Sequence, residues 1–206
     1  MYRVLRRAFG HQHWWPGETR LEIIIGAILT QNTAWTNVEK AIRNLKRTRS
    51  LSAAALRKMP VPRLAGKIRS AGYFNVKASR IKDFLDFLTR GYQGSLARLF
   101  REETGPLRQE LLGVRGIGPE TADSILLYAG QKPSFVIDAY TRRIFSRHGL
   151  MHQEAGYESW KGLFESHLPR DVPLYNDFHA QIVHLAKTHC RSSEARCEGC
   201  PLQKYL

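Results

Sequence analysis

Apolar residues recur at helical spacing along nearly the whole chain, and no stretch of five or more residues alternates convincingly as a strand would. Ala78, Ile81, Leu85 and Leu88 fall at i, i+3, i+7 and i+10, on one helix face. Ala122, Ile125, Leu126 and Ala129 mark a second stripe, and Trp160, Leu163, Phe164 and His167 a third. Breakers separate the helical segments at Pro16-Gly17, Pro60-Val61-Pro62, Gly91 to Gly94, Gly116 to Pro119 and Pro169 to Pro173. Thr19 is placed to cap a helix beginning at Arg20, and Ser52 one over Ala53–Met59. A helical pattern bounds the short β-branched run Phe135-Val136-Ile137 on its far side. The expected fold is all-α, about ten helices with short connections.

With 206 residues, 43% of them hydrophobic, the chain can bury a real core as one domain or two small lobes. Its nearest approach to an apolar run, Leu21–Thr33, is interrupted by Glu22, Gln31 and Asn32 and is too short to span a bilayer. The start, MYRVLRRAFGHQ, lacks the apolar region of a secretory signal, so a soluble, cytoplasmic protein is expected. Lys and Arg number 32 against 18 Asp and Glu, a net charge of +14. That surplus points to a polyanionic partner, nucleic acid before an anionic membrane surface. Basic residues gather at Arg43–Arg49, Arg63–Arg80 and Arg142–Arg147. Singly each reads as a solvated helix face; together they favour a phosphate-binding surface.

Leu111–Ala122 reads LLGVRGIGPETA. Val114, Arg115, Gly116, Ile117 and Gly118 lie between two helical patterns, and Pro119 suits the first turn of the second. Two glycines around one apolar residue allow a tight turn whose bare N–H groups make an anion site at a helix start. No strand precedes it and a third glycine is missing, so it is not a dinucleotide fingerprint. By itself it could equally be a plain αα-turn. Asp138 follows Glu120 by eighteen residues, at the head of VIDAYTRR, where an aspartate can serve simply as an N-cap. The three cysteines, Cys190, Cys197 and Cys200, sit close together near the end as C-x6-C-x2-C, and their odd number argues against a disulfide framework.

Taken together, LLGVRGIGPETA, VIDAYTRR and CRSSEARCEGC resemble, in the right order and over about residues 21–200, the helix-hairpin-helix DNA glycosylase superfamily of the endonuclease III branch. The resemblance implies two helical lobes with DNA in the cleft between them. A six-helix barrel over 21–134 would contain the helix-hairpin-helix. Residues 1–20 and 135–206 would form the second lobe with its cysteine loop. It implies base excision from double-stranded DNA carrying a flipped damaged base, no membrane association, and a monomer. Asp138 would be the catalytic carboxylate, stabilising the charge that builds on deoxyribose as the N-glycosidic bond breaks. The hairpin, with Thr121 in its second helix, would bind DNA and could hold a monovalent cation on its carbonyls.

Glu120 stands where bifunctional members carry their lysine nucleophile, and a carboxylate cannot form a Schiff base. A monofunctional glycosylase is therefore expected. Gln31, in GAILTQNT, resembles the wedge that fills the space of a flipped nucleotide, although a helix C-cap cluster would explain it too. WWP (Trp14, Trp15, Pro16), GAILTQNT and GYFNVKASR are similar to the 3-methyladenine DNA glycosylase III type, in which Trp14 and Trp35 would sandwich the damaged base. Stacking suits a cationic alkylated purine, at roughly 0.5–2 kcal/mol per face; ordinary core packing is the alternative for Trp14 and Trp15. The cysteines match the first three ligands of the family's [4Fe–4S] loop, whose fourth position here is Leu206. A cluster with a non-cysteine ligand is expected. Zinc with His189 or His184, or a metal-free loop, are the alternatives. A mismatch or oxidised-pyrimidine glycosylase and a non-catalytic DNA-structure binder remain as other readings; no carboxylate cluster suggests a metal-dependent nuclease.

Overall fold

In a computed structural model that describes residues 1–14 and 17–206, the protein is built from α-helices, with no named strand among the described residues. In chain order these are α1 (Tyr2–Phe9), α2 (Arg20–Thr30), α3 (Trp35–Arg47), α4 (Ala53–Lys58), α5 (Val61–Lys67) and α6 (Phe74–Tyr92). There follow α7 (Leu96–Leu99), α8 (Thr104–Leu112), α9 (Pro119–Ser124), α10 (Ala139–Arg147), α11 (Tyr157–His167) and α12 (Val172–Thr188). The chain divides into two compact units, Trp15–Lys132 and Met1–Trp14 with Pro133–Leu206. No helix among the described residues is long and apolar enough to cross a membrane.

In the unit Trp15–Lys132 the central element is α2, nearly all of whose residues are buried against α3, α6 and the segment after α9. Thr19 caps it as expected, its hydroxyl accepting from the Glu22 N–H at 3.2 Å. The buried Glu22 is neutralised by Lys46 of α3 at 2.8 Å. Ala78, Ile81, Leu85 and Leu88 of α6 are all buried, as their spacing requires. Lys77, one turn from the start of α6, is also buried. Its ammonium donates to the Leu29 and Ala71 carbonyls, both at 2.7 Å, and to the Thr33 hydroxyl at 2.5 Å, tying the end of α2 to the turn before α6. The segment after α9 buries Leu127 and Tyr128 besides the predicted stripe, because Ile125–Ala129 continues as a π-helical turn and brings more of its circumference inward.

The second unit is organised around Phe135, which stacks on Phe164 with ring centres 4.4 Å apart and meets Tyr175 and Phe178 edge-on. The run Phe135-Val136-Ile137 is buried and lies outside any helix, without a partner strand among the described residues. Asp177 of α12 is buried, and it fixes the N-terminal segment. It accepts from the Tyr2 hydroxyl at 2.9 Å and the Gln12 N–H at 3.2 Å, and pairs with Arg6 at 3.5 Å. Gln181, one turn on, donates to the Gly10 carbonyl at 2.6 Å. These contacts lay residues 1–14 along α12.

Pro60-Val61-Pro62 separates α4 from α5, with Pro62 in the first turn of α5. The breaker Gly91 to Gly94 holds the end of α6, which stops at the left-handed Gln93 and Gly94. One expectation is corrected. On α11, Trp160 and Phe164 are buried but His167 is exposed. The inward face is turned toward Lys161, whose ammonium donates to Ser134 Oγ at 2.7 Å and pairs with Glu165 at 2.7 Å.

Candidate functional site

Asp138 starts α10 and does what an N-cap does: its Oδ1 accepts from the Thr141 N–H at 2.7 Å and the Thr141 hydroxyl at 2.9 Å. It does more than cap. Oδ2 lies 3.4 Å from Nε2 of His179 on α12, and the carboxylate stays 15% exposed. Burial pushes its carboxyl up, but the facing imidazole and the Thr141 bonds outweigh that and hold it below the ordinary range. The Trp14 indole lies nearly parallel to the His179 ring, 5.5 Å away at 16°. The sequence had not singled out His179. Between Phe178 and Ala180 on a buried helix it reads as a core residue, and only the tertiary fold reveals its neighbours. Trp15 and Pro16, also expected in the base pocket, lie outside the described residues.

In the other unit, Val114 and Ile117 anchor the hairpin in the core, while Gly118 and Glu120 are exposed. Gly116 has φ +85°, and a Cβ there would stand 2.7 Å from Arg80 Cδ, so both conformation and space demand glycine. Gly118 differs: its φ is −90° and a Cβ would meet nothing within 4 Å, so the turn itself does not require it. Arg115 reaches back to Asp83 with two bonds at 2.9 and 3.2 Å. Gln31, at the end of α2, turns its side chain onto the hairpin. Its amide nitrogen donates to the Gly116 carbonyl and the Thr121 hydroxyl, both at 2.9 Å, and its oxygen accepts from Arg80. The Val114 carbonyl in turn accepts from the Ile117 N–H at 3.0 Å. Trp35 begins α3, crosses α2 at Gly26 and donates from its indole to Glu39 at 2.9 Å.

The arginines of the basic helix Arg142–Arg147 are bonded to protein, with Arg142 and Arg143 half-buried and Arg147 exposed. Arg142 donates to the Ala155 carbonyl at 2.7 Å, and Arg143 to the Cys190 carbonyl at 3.0 and 2.8 Å. Arg147 donates to Cys190 Sγ at 3.2 Å and to the Arg191 and Ser192 carbonyls at 2.8 and 3.2 Å. Two of the three arginines thus fasten the cysteine loop to α10. The three thiols line one cavity of about 180 Å³ together with His148, His189 and Leu206. Burial pushes the Cys200 thiol up. Among the described residues no three His, Cys, Asp or Glu groups could hold a single metal ion. His184 packs on Phe9, with ring centres 4.5 Å apart, and is not among the residues lining this cavity.

An all-α chain with this hairpin, and a partly exposed carboxylate opening a helix eighteen residues beyond Glu120, has the layout of a helix-hairpin-helix DNA-repair protein. Residues 25–170 match the HhH-GPD superfamily of base excision DNA repair proteins, and the chain belongs to that superfamily. A provisionally named DNA repair glycosylase of Methanocaldococcus jannaschii is 45% identical over 207 residues, covering 100% of this chain and 93% of its own. Endonuclease III of Sulfolobus acidocaldarius is 28% identical over 192 residues, or 92% of this chain and 83% of its own. The H. pylori 3-methyladenine DNA glycosylase, solved bound to 1,N6-ethenoadenine, superposes with a TM-score of 0.78 at 28% identity, over 90% of this chain and 96% of that one.

Proposed function

We propose that the protein is a monofunctional DNA glycosylase that hydrolyses the N-glycosidic bond of flipped alkylated purines in duplex DNA. The observation that carries this reading is Asp138, ionised, oriented from two sides and still open to solvent on one edge. An N3- or N7-alkylated purine already bears positive charge and leaves as a neutral base, so no acid is needed to protonate it. Charge develops instead on the deoxyribose, where a fixed carboxylate stabilises it and can take a proton from the attacking water. The base must leave the stack to be reached. Trp14 offers a flat indole stacked on His179, the residue that faces Asp138, and Trp35 is the second tryptophan proposed to stack on the base. The similarity to a 3-methyladenine glycosylase supports the cationic substrate.

Exposed Glu120 takes the place of a lysine nucleophile and cannot form an imine, so the strand should remain intact after base release. The hairpin is the proposed phosphate contact, with Gly118 as its bare exposed backbone. Cys190, Cys197 and Cys200 are the proposed ligands of a [4Fe–4S] cluster. The three thiols line one cavity together with Leu206, the fourth ligand position, so the fourth ligand would have to be a group other than cysteine. A bound cluster would supply structural cross-linking of the loop, and an iron assay with an absorbance band near 400 nm tests for it.

The functional test is a duplex panel carrying 3-methyladenine, 7-methylguanine, mismatched thymine, uracil and oxidised pyrimidines. Release of the alkylpurines, reduced by Trp14→Ala and by Trp35→Ala, supports the reading. Preferential release of pyrimidines favours the second reading, an endonuclease III-like specificity, which the Sulfolobus relative supports. Borohydride trapping of a covalent DNA adduct would overturn the monofunctional assignment.

A further inference from the structure

His179 lies between the two groups that the proposed chemistry needs on this unit. Its Nε2 is 3.4 Å from Asp138 Oδ2 and its ring face lies along Trp14. The residue is 4% exposed, on a helix held to the N-terminal segment through Asp177 and Gln181. Thr141 occupies only Oδ1. The His179 imidazole is the group that faces Oδ2. Around this segment the Tyr157 hydroxyl accepts from the Ile137 N–H, Arg142 donates to the Ala155 carbonyl, Arg143 to the Cys190 carbonyl, and Lys161 bonds Ser134 and pairs with Glu165.

Resting on the proposed glycosylase reading, we infer that His179 is a positioning residue that locks Asp138 by its Nε2 edge and backs Trp14 by its ring face. The two contacts are separable by substitution. Gln at 179 can keep a donor toward Asp138 but lacks the ring. Phe keeps a flat ring under Trp14 but lacks the donor. Because the imidazole helps hold the Asp138 carboxyl down, removing it lets that carboxyl rise toward its ordinary value.

The experiment compares wild type, His179→Gln and His179→Phe in base excision on alkylated duplex, with kcat, KM and pH profiles, after thermal melting has confirmed folding. His179→Phe is expected to lose about ten- to a hundredfold in kcat, keep KM within about threefold, and lose activity at a higher pH on the acidic side. His179→Gln should retain most of kcat and shift the acidic limb upward by less than His179→Phe does, but raise KM. Equal, modest losses in both variants with unmoved acidic limbs would overturn the inference while leaving the glycosylase reading intact. Should wild type release no base from any duplex, the function itself fails, and binding of undamaged DNA would then favour a non-catalytic binder.

Discussion

A lysine ammonium enclosed by carbonyls, as Lys77 is, leaves a signature in stability. Burial, with a smaller contribution from nearby Arg80, lowers it to about 8. The folded value therefore lies below the unfolded one, so between roughly pH 8 and 10.4 the unfolded chain binds more protons. Holding the charge costs stability below pH 8, and that cost is relieved as pH rises. The unfolding free energy of wild type minus that of Lys77→Met should grow by up to about 3 kcal/mol from neutral pH to pH 10 in urea titrations; a flat difference would contradict the assignment. A lysine in a helical pattern is ordinarily solvated, so the sequence held no sign of this role. Asp138 was more legible as an N-cap, and the structure shows the cap directly; its proposed catalytic role came from the family resemblance. His179 was not legible. Its partners come from residues 41 positions before it and from the N-terminal segment, and no local pattern reports such neighbours.

Among the elements, the hairpin separates two kinds of glycine. Gly116→Ala forces a left-handed alanine against Arg80 and should cost about 1–3 kcal/mol in thermal melts. Gly118→Ala should change stability by less than about 0.5 kcal/mol yet weaken DNA binding, because its backbone is the proposed phosphate contact. Equal destabilisation by the two would contradict this distinction. Sequence spacing found the turn, but it treated both glycines as turn formers, since φ is invisible in a string of letters. Helix α10 teaches a related lesson. Its arginines read as a phosphate-binding face, yet two of them serve as clamps for the 190–192 backbone. Arg143→Ala leaves the Cys190 carbonyl without those donors, at about 1–3 kcal/mol. The loop over 190–200 should then be cut faster in limited proteolysis, and unchanged cutting would count against the clamp.

For the whole molecule, the net charge of +14 predicts affinity dominated by phosphate contacts. The Kd for undamaged duplex should rise at least about tenfold between roughly 50 and 200 mM salt, and a salt-insensitive Kd would contradict the electrostatic reading. The all-helical architecture was legible because apolar periodicity survives in the sequence and Thr19 and Ser52 cap where they should. The partition of charge between nucleic acid and internal clamps was not, since it depends on which carbonyls face each guanidinium. The central claim is that Asp138 performs the bond cleavage, and Asp138→Asn tests it most directly. Asparagine can cap a helix nearly as well as aspartate, so the fold should persist. Single-turnover excision of alkylpurine from duplex DNA should fall by at least about a hundredfold, with melting temperature and DNA affinity nearly unchanged. Excision at the wild-type rate by a folded Asp138→Asn protein would contradict the account.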